Sequence, residues 1–137
     1  MHLLIVDDNR QLAQLTAEVL RWMDRGPRNI ESIAIAADLQ TALRLLPSCD
    51  AVLCDGQFPV SPNFWYRQDQ WVGVYDEAAK HATHFILYSG DAETLDQARR
   101  RDIPAIAKPS RIERLYAALL NHSQEARDTV VACGAIR

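Results

Sequence analysis

The chain has 137 residues and a mass of 15.5 kDa, which is the size of one ordinary domain. Apolar residues make up 48% of it and charged residues 24%, a composition that excludes intrinsic disorder. A formal charge of −3 argues against nucleic-acid binding through phosphates, and no apolar run approaches the roughly 18 residues that cross a bilayer, so we expect neither a nucleic acid nor a membrane as a partner.

Short apolar runs along the chain predict buried β-strands. The first run, His2 to Val6, ends at a pair of aspartates, Asp7 and Asp8. Four further runs have a similar length, and the sequence therefore predicts strands over 30–36, 51–54, 85–88 and 105–107.

Helical patterns separate and follow these runs. The first helix begins after Asn9, a residue type that caps helices, and Gly26 and Pro27 end it. Its apolar face is predicted to consist of Leu12, Leu15, Val19 and Met23. Three more helices are predicted over about 39–46, 69–81 and 92–101, and the helix at 69–81 has an apolar face of Val72, Tyr75, Ala78 and Ala79. A fifth and last helix carries the clearest stripe: Ile112, Leu115, Tyr116, Leu119 and Leu120.

The alternation of strands and helices predicts an α/β fold with a parallel sheet covered on both faces. Functional sites of such sheets lie beyond the carboxyl ends of the strands. The residues that follow or end four of the predicted strands are polar, and we expect their side chains to converge in one cleft: Asp7, Asp8, Asp55, Ser89 and Lys108.

This set of side chains suits phosphoryl transfer. Three neighbouring carboxylates raise one another's pKa unless a cation lies among them, and oxygen ligands at a hydrated site favour Mg²⁺. A lysine offers a point charge to a phosphoryl oxygen, and a serine hydroxyl donates a hydrogen bond. One carboxylate can then act as a nucleophile and form an aspartyl-phosphate.

Four motifs in this order resemble those of response-regulator receiver domains in two-component signalling, in particular single-domain, CheY-like receivers. They are LIVDDN at 4–9, AVLCD at 51–55, YSGD at 88–91 and AKPS at 107–110, and the resemblance covers 1–122. It implies a flavodoxin-like, doubly wound fold with five parallel strands in the order 2-1-3-4-5. It also implies a cytoplasmic phosphoprotein, in keeping with three cysteines that lack CxxC spacing and a chain that opens on a strand without a signal peptide.

The resemblance assigns a role to each residue of the cleft. Asp55 matches the phosphoacceptor, which receives its phosphoryl group from a histidine kinase or a histidine phosphotransfer protein and controls a downstream protein that the sequence does not identify. Asp7 and Asp8 match the acidic pair that binds Mg²⁺ with Asp55, and the backbone carbonyl of Gln57 matches a further protein ligand.

Two more roles follow from the same resemblance. Ser89 matches the hydroxyl that moves on phosphorylation, and Lys108 matches the lysine that contacts the phosphoryl group. The bond between Lys108 and Pro109 matches a peptide that is usually cis in this family.

The sequence departs from the family pattern in two places. Ala105 stands where an aromatic residue usually switches inward on phosphorylation. The interval from Asp55 to Ser89 is 89 − 55 = 34 residues, a few more than usual, and its loop is rich in aromatic residues. These side chains either pack as a local cluster or in part, at 64–66, cover the site or meet a partner: Phe58, Phe64, Trp65, Tyr66 and Trp71.

Two alternatives to a phosphorylated receiver stay open. The chain could be a receiver-fold interaction module that works without phosphorylation, although the complete acidic set argues against this. It could also be a phosphatase with an aspartate nucleophile, but those enzymes carry an acid/base aspartate where this chain has Gln57. We expect a protein that catalyses only its own phosphorylation and hydrolysis, with a short tail at 123–137 and no output domain.

Overall fold

A computed structural model describes residues 1–26 and 28–120, so the expected tail at 123–137 lies outside the described residues. Five strands alternate with helices along the chain. The strands are β1 (His2–Val6), β2 (Ser32–Ala36), β3 (Ala51–Cys54), β4 (His84–Ser89) and β5 (Ala105–Ala107). The helices are α1 (Arg10–Met23), α2 (Leu39–Leu45), α3 (Trp71–Lys80), α4 (Ala92–Arg100) and α5, which is described over 112–120.

The five strands form one parallel sheet in the order β2-β1-β3-β4-β5, which confirms the predicted fold class and strand order. Val6 pairs with Cys54 at the carboxyl ends of β1 and β3. The amide of Asp55 donates a 2.8 Å hydrogen bond to the carbonyl of Val6. This register places the acids that follow the two central strands side by side.

Apolar side chains fill both faces of the sheet, as the alternation of side chains along a strand requires. On one face, Leu4 and Val6 pack with buried residues of α2, α3 and α4. On the other face, Leu3 and Ile5 pack with buried residues of α1 and α5. The fold is therefore doubly wound, with helices on both faces of the sheet and the polar cleft at the carboxyl ends of the strands.

Helix α1 packs on a different face from the predicted one. Its buried residues are Ala13, Ala17 and Leu20, whereas Leu15 of the predicted face is 56% exposed. The prediction followed one stripe of large apolar side chains, but α1 faces the sheet with two small alanines and Leu20. Other large side chains of α1, among them Leu12 and Trp22, are exposed.

Other differences between the predicted and the observed elements are smaller. Strand β2 begins at Ser32, two residues later than predicted, and β4 extends to Ser89. Helix α3 begins at Trp71 and buries Trp71, Val74 and Ala78, so only Ala78 of its predicted face is fully buried. Pro47 does not end a helix abruptly but lies within a 3₁₀ turn at Leu46–Ser48, which continues α2. Within the described part of the chain, no helix is both long and apolar enough to cross a membrane.

Candidate functional site

The acidic pair after β1 lies at the centre of the cleft. Asp7 is 6% exposed. Its Oδ1 accepts a 2.9 Å hydrogen bond from the amide of Asn9, and Lys108 Nζ lies 3.0 Å from its Oδ2. Asp7, Asp8 and Asp55 each offer a carboxylate oxygen, and these three atoms all lie within 4.8 Å of one another. The structure thus brings together the three acids that the sequence analysis singled out.

Asp55 is held by its own backbone and by one ammonium group. The amide of Gly56 donates a 2.8 Å hydrogen bond to Asp55 Oδ1, and Lys108 Nζ lies 3.4 Å from the same oxygen. Lys108 therefore bridges Asp55 and Asp7, with its side chain 19% exposed. The ring of Tyr88, which the sequence analysis did not single out, has its centroid 5.2 Å from the ammonium.

Burial and neighbouring charges both shift the pKa values of Asp55 and Lys108. Burial raises the pKa of Asp55, the Asp7 carboxylate adds to the rise, and Lys108 offsets only part of it. Burial alone would lower the pKa of Lys108, but the carboxylates of Asp55 and Asp7 outweigh it, so that pKa is raised. The Lys108 ammonium is thus charged at neutral pH, whereas folding disfavours the ionised form of the Asp55 carboxyl group.

Two features of the β4 and β5 ends match the expectations. The peptide bond between Lys108 and Pro109 is cis, as the family resemblance implied. Ser89 is the last residue of β4 and is 3% exposed, and its Oγ accepts a 3.1 Å hydrogen bond from the amide of Asp91. Asp91 in turn caps α4 through the amide of Thr94. The Ser89 hydroxyl is therefore linked directly to the first turn of α4.

Gly56 lies in close contact with Ser89 and α4. A Cβ atom at this position would lie 2.9 Å from Thr94 Cγ2 and 3.2 Å from Ser89 Oγ. Both neighbours are buried, so neither can move away freely. Because Gly56 has no side chain, the Ser89 hydroxyl can lie beside it, one residue after Asp55.

We expect Gly56→Ala to destabilise the protein by about 1–3 kcal/mol, because the added methyl group overpacks a buried contact. Urea denaturation of the variant and the parent protein measures this difference. Gly26→Ala is the matched control, since a Cβ there meets no atom within 4 Å. An equal loss in both variants would show that the Thr94 contact is not the cause.

An arginine from the long loop also enters the site. Phe58 and Gln68 form an isolated antiparallel bridge that closes the loop, and this places Arg67 next to Gln57. Arg67 Nε lies 2.9 Å from Asp8 Oδ2, and its Nη2 lies 3.7 Å from Asp55 Oδ2. Nη2 also donates a 3.2 Å hydrogen bond to the carbonyl of Gln57.

Arg67 was not among the predicted site residues, because those residues were predicted from strand ends. A signal was present, since Arg67 is the single basic residue between Gly56 and Gln70. A lone cation in a loop that follows an acidic cleft is a candidate partner for the acids. The register that brings it to Gln57 depends on the bridge between Phe58 and Gln68, which spacing alone does not indicate.

The loop aromatics divide into two groups. Phe58 and Trp71 are buried in the core, which agrees with the packed-cluster interpretation. Tyr66 packs edge-to-face against both Phe64 and Trp65, and all three side chains are exposed, with Trp65 at 85%. The loop residue that reaches the carboxylates is thus Arg67, directly after the exposed aromatics.

The donor set fits a hard divalent cation. Carboxylate oxygens from Asp7, Asp8 and Asp55 lie close enough to share one ion, and the carbonyl oxygen of Gln57 lies within reach of the same guanidinium that pairs with Asp8. Four oxygen donors beside an open cleft of about 360 Å³ leave room for water ligands, which Mg²⁺ usually retains.

Solved structures with the same fold were found by comparison. A CheY-like response-regulator receiver domain from Methanospirillum hungatei superposes with a TM-score of 0.71 at 16% identity, covering 93% of this chain and 97% of that one. The response regulatory domain of mrkE from Klebsiella pneumoniae gives 0.67 at 20% identity, over 93% and 99%. A Burkholderia pseudomallei response regulator, whose structure has a phosphorylated aspartic acid, calcium and citrate, gives 0.66 at 19%, over 93% and 71%.

No protein-family model matches the chain, and no curated protein matches its sequence. The structural similarities establish that the chain has the flavodoxin-like fold of response-regulator receiver domains. At identities of 16–20% they establish the fold alone, and a fold hosts many activities. The function of the chain is therefore inferred from the side chains of its cleft.

Proposed function

We propose that the protein is a phosphoacceptor receiver domain that takes a phosphoryl group onto Asp55. The observation that carries this proposal is the position of the Asp55 carboxylate among the acids of the β1 end, the Lys108 ammonium and the buried Ser89 hydroxyl. The donor in this proposal is a phosphohistidine of a kinase or a phosphotransfer protein. The protein acts as the acceptor and the switch, and its own catalysis is limited to that transfer and to hydrolysis.

The chemistry is a displacement at phosphorus. A carboxylate oxygen of Asp55 attacks the phosphorus atom, the P–O bond forms, and the P–N bond to the donor imidazole breaks. The imidazole keeps the electron pair of that bond and takes up a proton. Lys108, already 3.4 Å from Asp55, holds a positive charge where a phosphoryl oxygen arrives.

Asp7, Asp8, Asp55 and the carbonyl of Gln57 are the residues that would hold Mg²⁺. When bound, the ion neutralises charge on the phosphoryl oxygens and reduces repulsion among the acids. A structure of a similarly folded response regulator contains calcium together with a phosphorylated aspartic acid, which supports a divalent cation at a site of this kind.

Incubation with Mg²⁺ and acetyl phosphate, followed by intact mass measurement, tests the proposal. We expect the mass to increase by one phosphoryl group, and we expect EDTA to prevent the increase. An unchanged mass under both conditions would favour the second candidate, an interaction module that works without phosphorylation. The observation that favours this candidate is the exposed aromatic group at 64–66, a surface of the kind that proteins use in binding.

We expect the switch to act through the start of α4. If Ser89 Oγ turns toward a phosphoryl group, it gives up its 3.1 Å hydrogen bond from the amide of Asp91, and the first turn of α4 must adjust. Amide NMR spectra with and without beryllofluoride should therefore shift most at 89–94. Because Ala105 has no ring to move inward, shifts in β5 should be smaller. Ser89→Ala should reduce the α4 shifts, and shifts centred on Ala105 with Ser89 unaffected would contradict the prediction.

A further inference from the structure

Arg67 contacts the same oxygen donors that a divalent cation would use. Its guanidinium lies 2.9 Å from the nearer Asp8 oxygen, 3.2 Å from the Gln57 carbonyl and 3.7 Å from Asp55 Oδ2. A planar guanidinium offers several N–H donors in a fixed fork, so one side chain can serve several oxygens at once. The positive charge of the guanidinium thus lies beside two of the three acids, Asp8 and Asp55.

The backbone that follows Arg67 is held beside the site. Phe58 and Gln68 exchange two backbone hydrogen bonds, of 3.1 and 3.3 Å. The side-chain amide of Gln57 donates a 3.0 Å hydrogen bond to Asp69 Oδ1. These contacts tie the residues after Arg67 to the segment that follows Asp55. Less chain entropy is therefore lost when Arg67 pairs with the acids than in an ordinary surface ion pair.

We propose that Arg67 is an intramolecular counter-cation that competes with the divalent metal for Asp8, Asp55 and the Gln57 carbonyl. The inference rests on the proposed function, because it takes these oxygens to be metal ligands. Metal binding then requires Arg67 to leave its position. The exchange is feasible, since the Arg67 side chain is 55% exposed and can move into solvent.

The exchange also reaches the exposed aromatic residues. Phe64, Trp65 and Tyr66 immediately precede Arg67, and Tyr66 packs edge-to-face against the other two rings. Because Arg67 follows Tyr66 directly, a movement of the guanidinium away from the acids changes the surroundings of these exposed rings. The arrangement couples the metal state of the site to the surface at 64–66, so a partner that binds this surface can in turn alter metal affinity.

Calorimetric titration of the unphosphorylated protein with Mg²⁺ tests the competition without a readout of activity. We expect Arg67→Gln to bind Mg²⁺ about three- to tenfold more tightly than the parent protein, the range that corresponds to loss of one partly exposed ion pair. Arg10→Gln is the matched control. It removes the same charge two residues from Asp8, but Arg10 lines a different cleft with Asp38 and Pro62. Its effect should be clearly smaller.

A second readout follows the loop itself. In the parent protein, the indole N–H signal of Trp65 should shift during the Mg²⁺ titration, and Trp65→Phe identifies that signal. In Arg67→Gln the shift should be largely lost, because no guanidinium beside Tyr66 is displaced when Mg²⁺ binds. Asp8→Asn should weaken Mg²⁺ binding in both backgrounds.

The outcomes separate the two proposals. Equal Mg²⁺ affinity in the parent, Arg67→Gln and Arg10→Gln proteins, with Asp8→Asn still weakening it, would overturn the competition and leave the phosphoacceptor proposal intact. An equal increase in Mg²⁺ affinity in both arginine variants would assign the effect to net charge, and it would also overturn the proposed competition. Failure of both parent and Arg67→Gln to bind Mg²⁺ would contradict the metal site itself and the competition with it.

Discussion

Replacement of Lys108 with methionine is expected to destabilise the metal-free protein by about 1–3 kcal/mol. Methionine fills a similar volume but leaves the buried carboxylates of Asp7 and Asp55 without their shared cation. Removing one partner of a buried ion pair costs more than the pair contributes, because the remaining charges stay desolvated. Urea denaturation in EDTA at neutral pH measures the loss.

Two further measurements show whether charge is the cause. In an Asp55→Asn background, the same Lys108→Met change should cost less, since one of the two stranded carboxylates is gone. The raised pKa of Lys108 means that its contribution is complete below the ordinary value of 10.5 and is lost as the pH rises through the higher folded value. An equal loss in both backgrounds would assign the effect to packing instead.

Replacement of Asp55 with asparagine is expected to abolish phosphoryl incorporation and to stabilise the protein at neutral pH. The pKa of Asp55 is raised in the folded state above its ordinary value of 3.8, so folding favours the protonated form. Its stabilising contribution is present below the ordinary pKa and is lost as the pH rises through the folded pKa. At neutral pH the ionised carboxylate thus opposes folding, and a neutral amide of the same shape removes that cost.

Thermal denaturation of both proteins in EDTA, at several pH values, checks this second prediction. The variant should be the more stable protein at pH 7.5, and the difference should narrow toward pH 4. Mg²⁺ should stabilise the parent protein more than the variant, because the ion binds the folded site. A variant that is less stable at every pH would show that the Asp55 carboxylate supports the fold rather than straining it. Sites that act chemically are often strained in this way.

The parallel sheet and the acids of its cleft could be predicted from the sequence for a physical reason. Buried central strands read as continuous apolar runs, and the first polar residue after each run marks the carboxyl end of a strand. Asp7 and Asp55 follow β1 and β3 at once, and parallel pairing places them next to each other. The distance between them therefore depends on secondary structure and strand order, which local patterns indicate well.

Details that depend on tertiary packing could not be predicted in the same way. Periodicity alone does not distinguish a face of small residues from a neighbouring face of large ones, so Leu15 was wrongly placed toward the core and Ala17 was overlooked. The position of Arg67 depends on a loop bridge between Phe58 and Gln68, ten residues apart, with no regular pattern between them. Both errors concern the way in which separate segments pack against one another. The spacing of residues within one segment does not indicate that packing.

The most direct test of the central claim locates the phosphoryl group on the chain. The protein is treated with acetyl phosphate and Mg²⁺ and then reduced with borohydride, which converts an aspartyl-phosphate to homoserine, and the peptides are sequenced by mass spectrometry. We predict homoserine at position 55, dependent on Mg²⁺ and absent from Asp55→Asn. Homoserine at Asp7 or Asp8 instead, or at no position in a folded protein, would contradict the assignment of Asp55 as the phosphoacceptor.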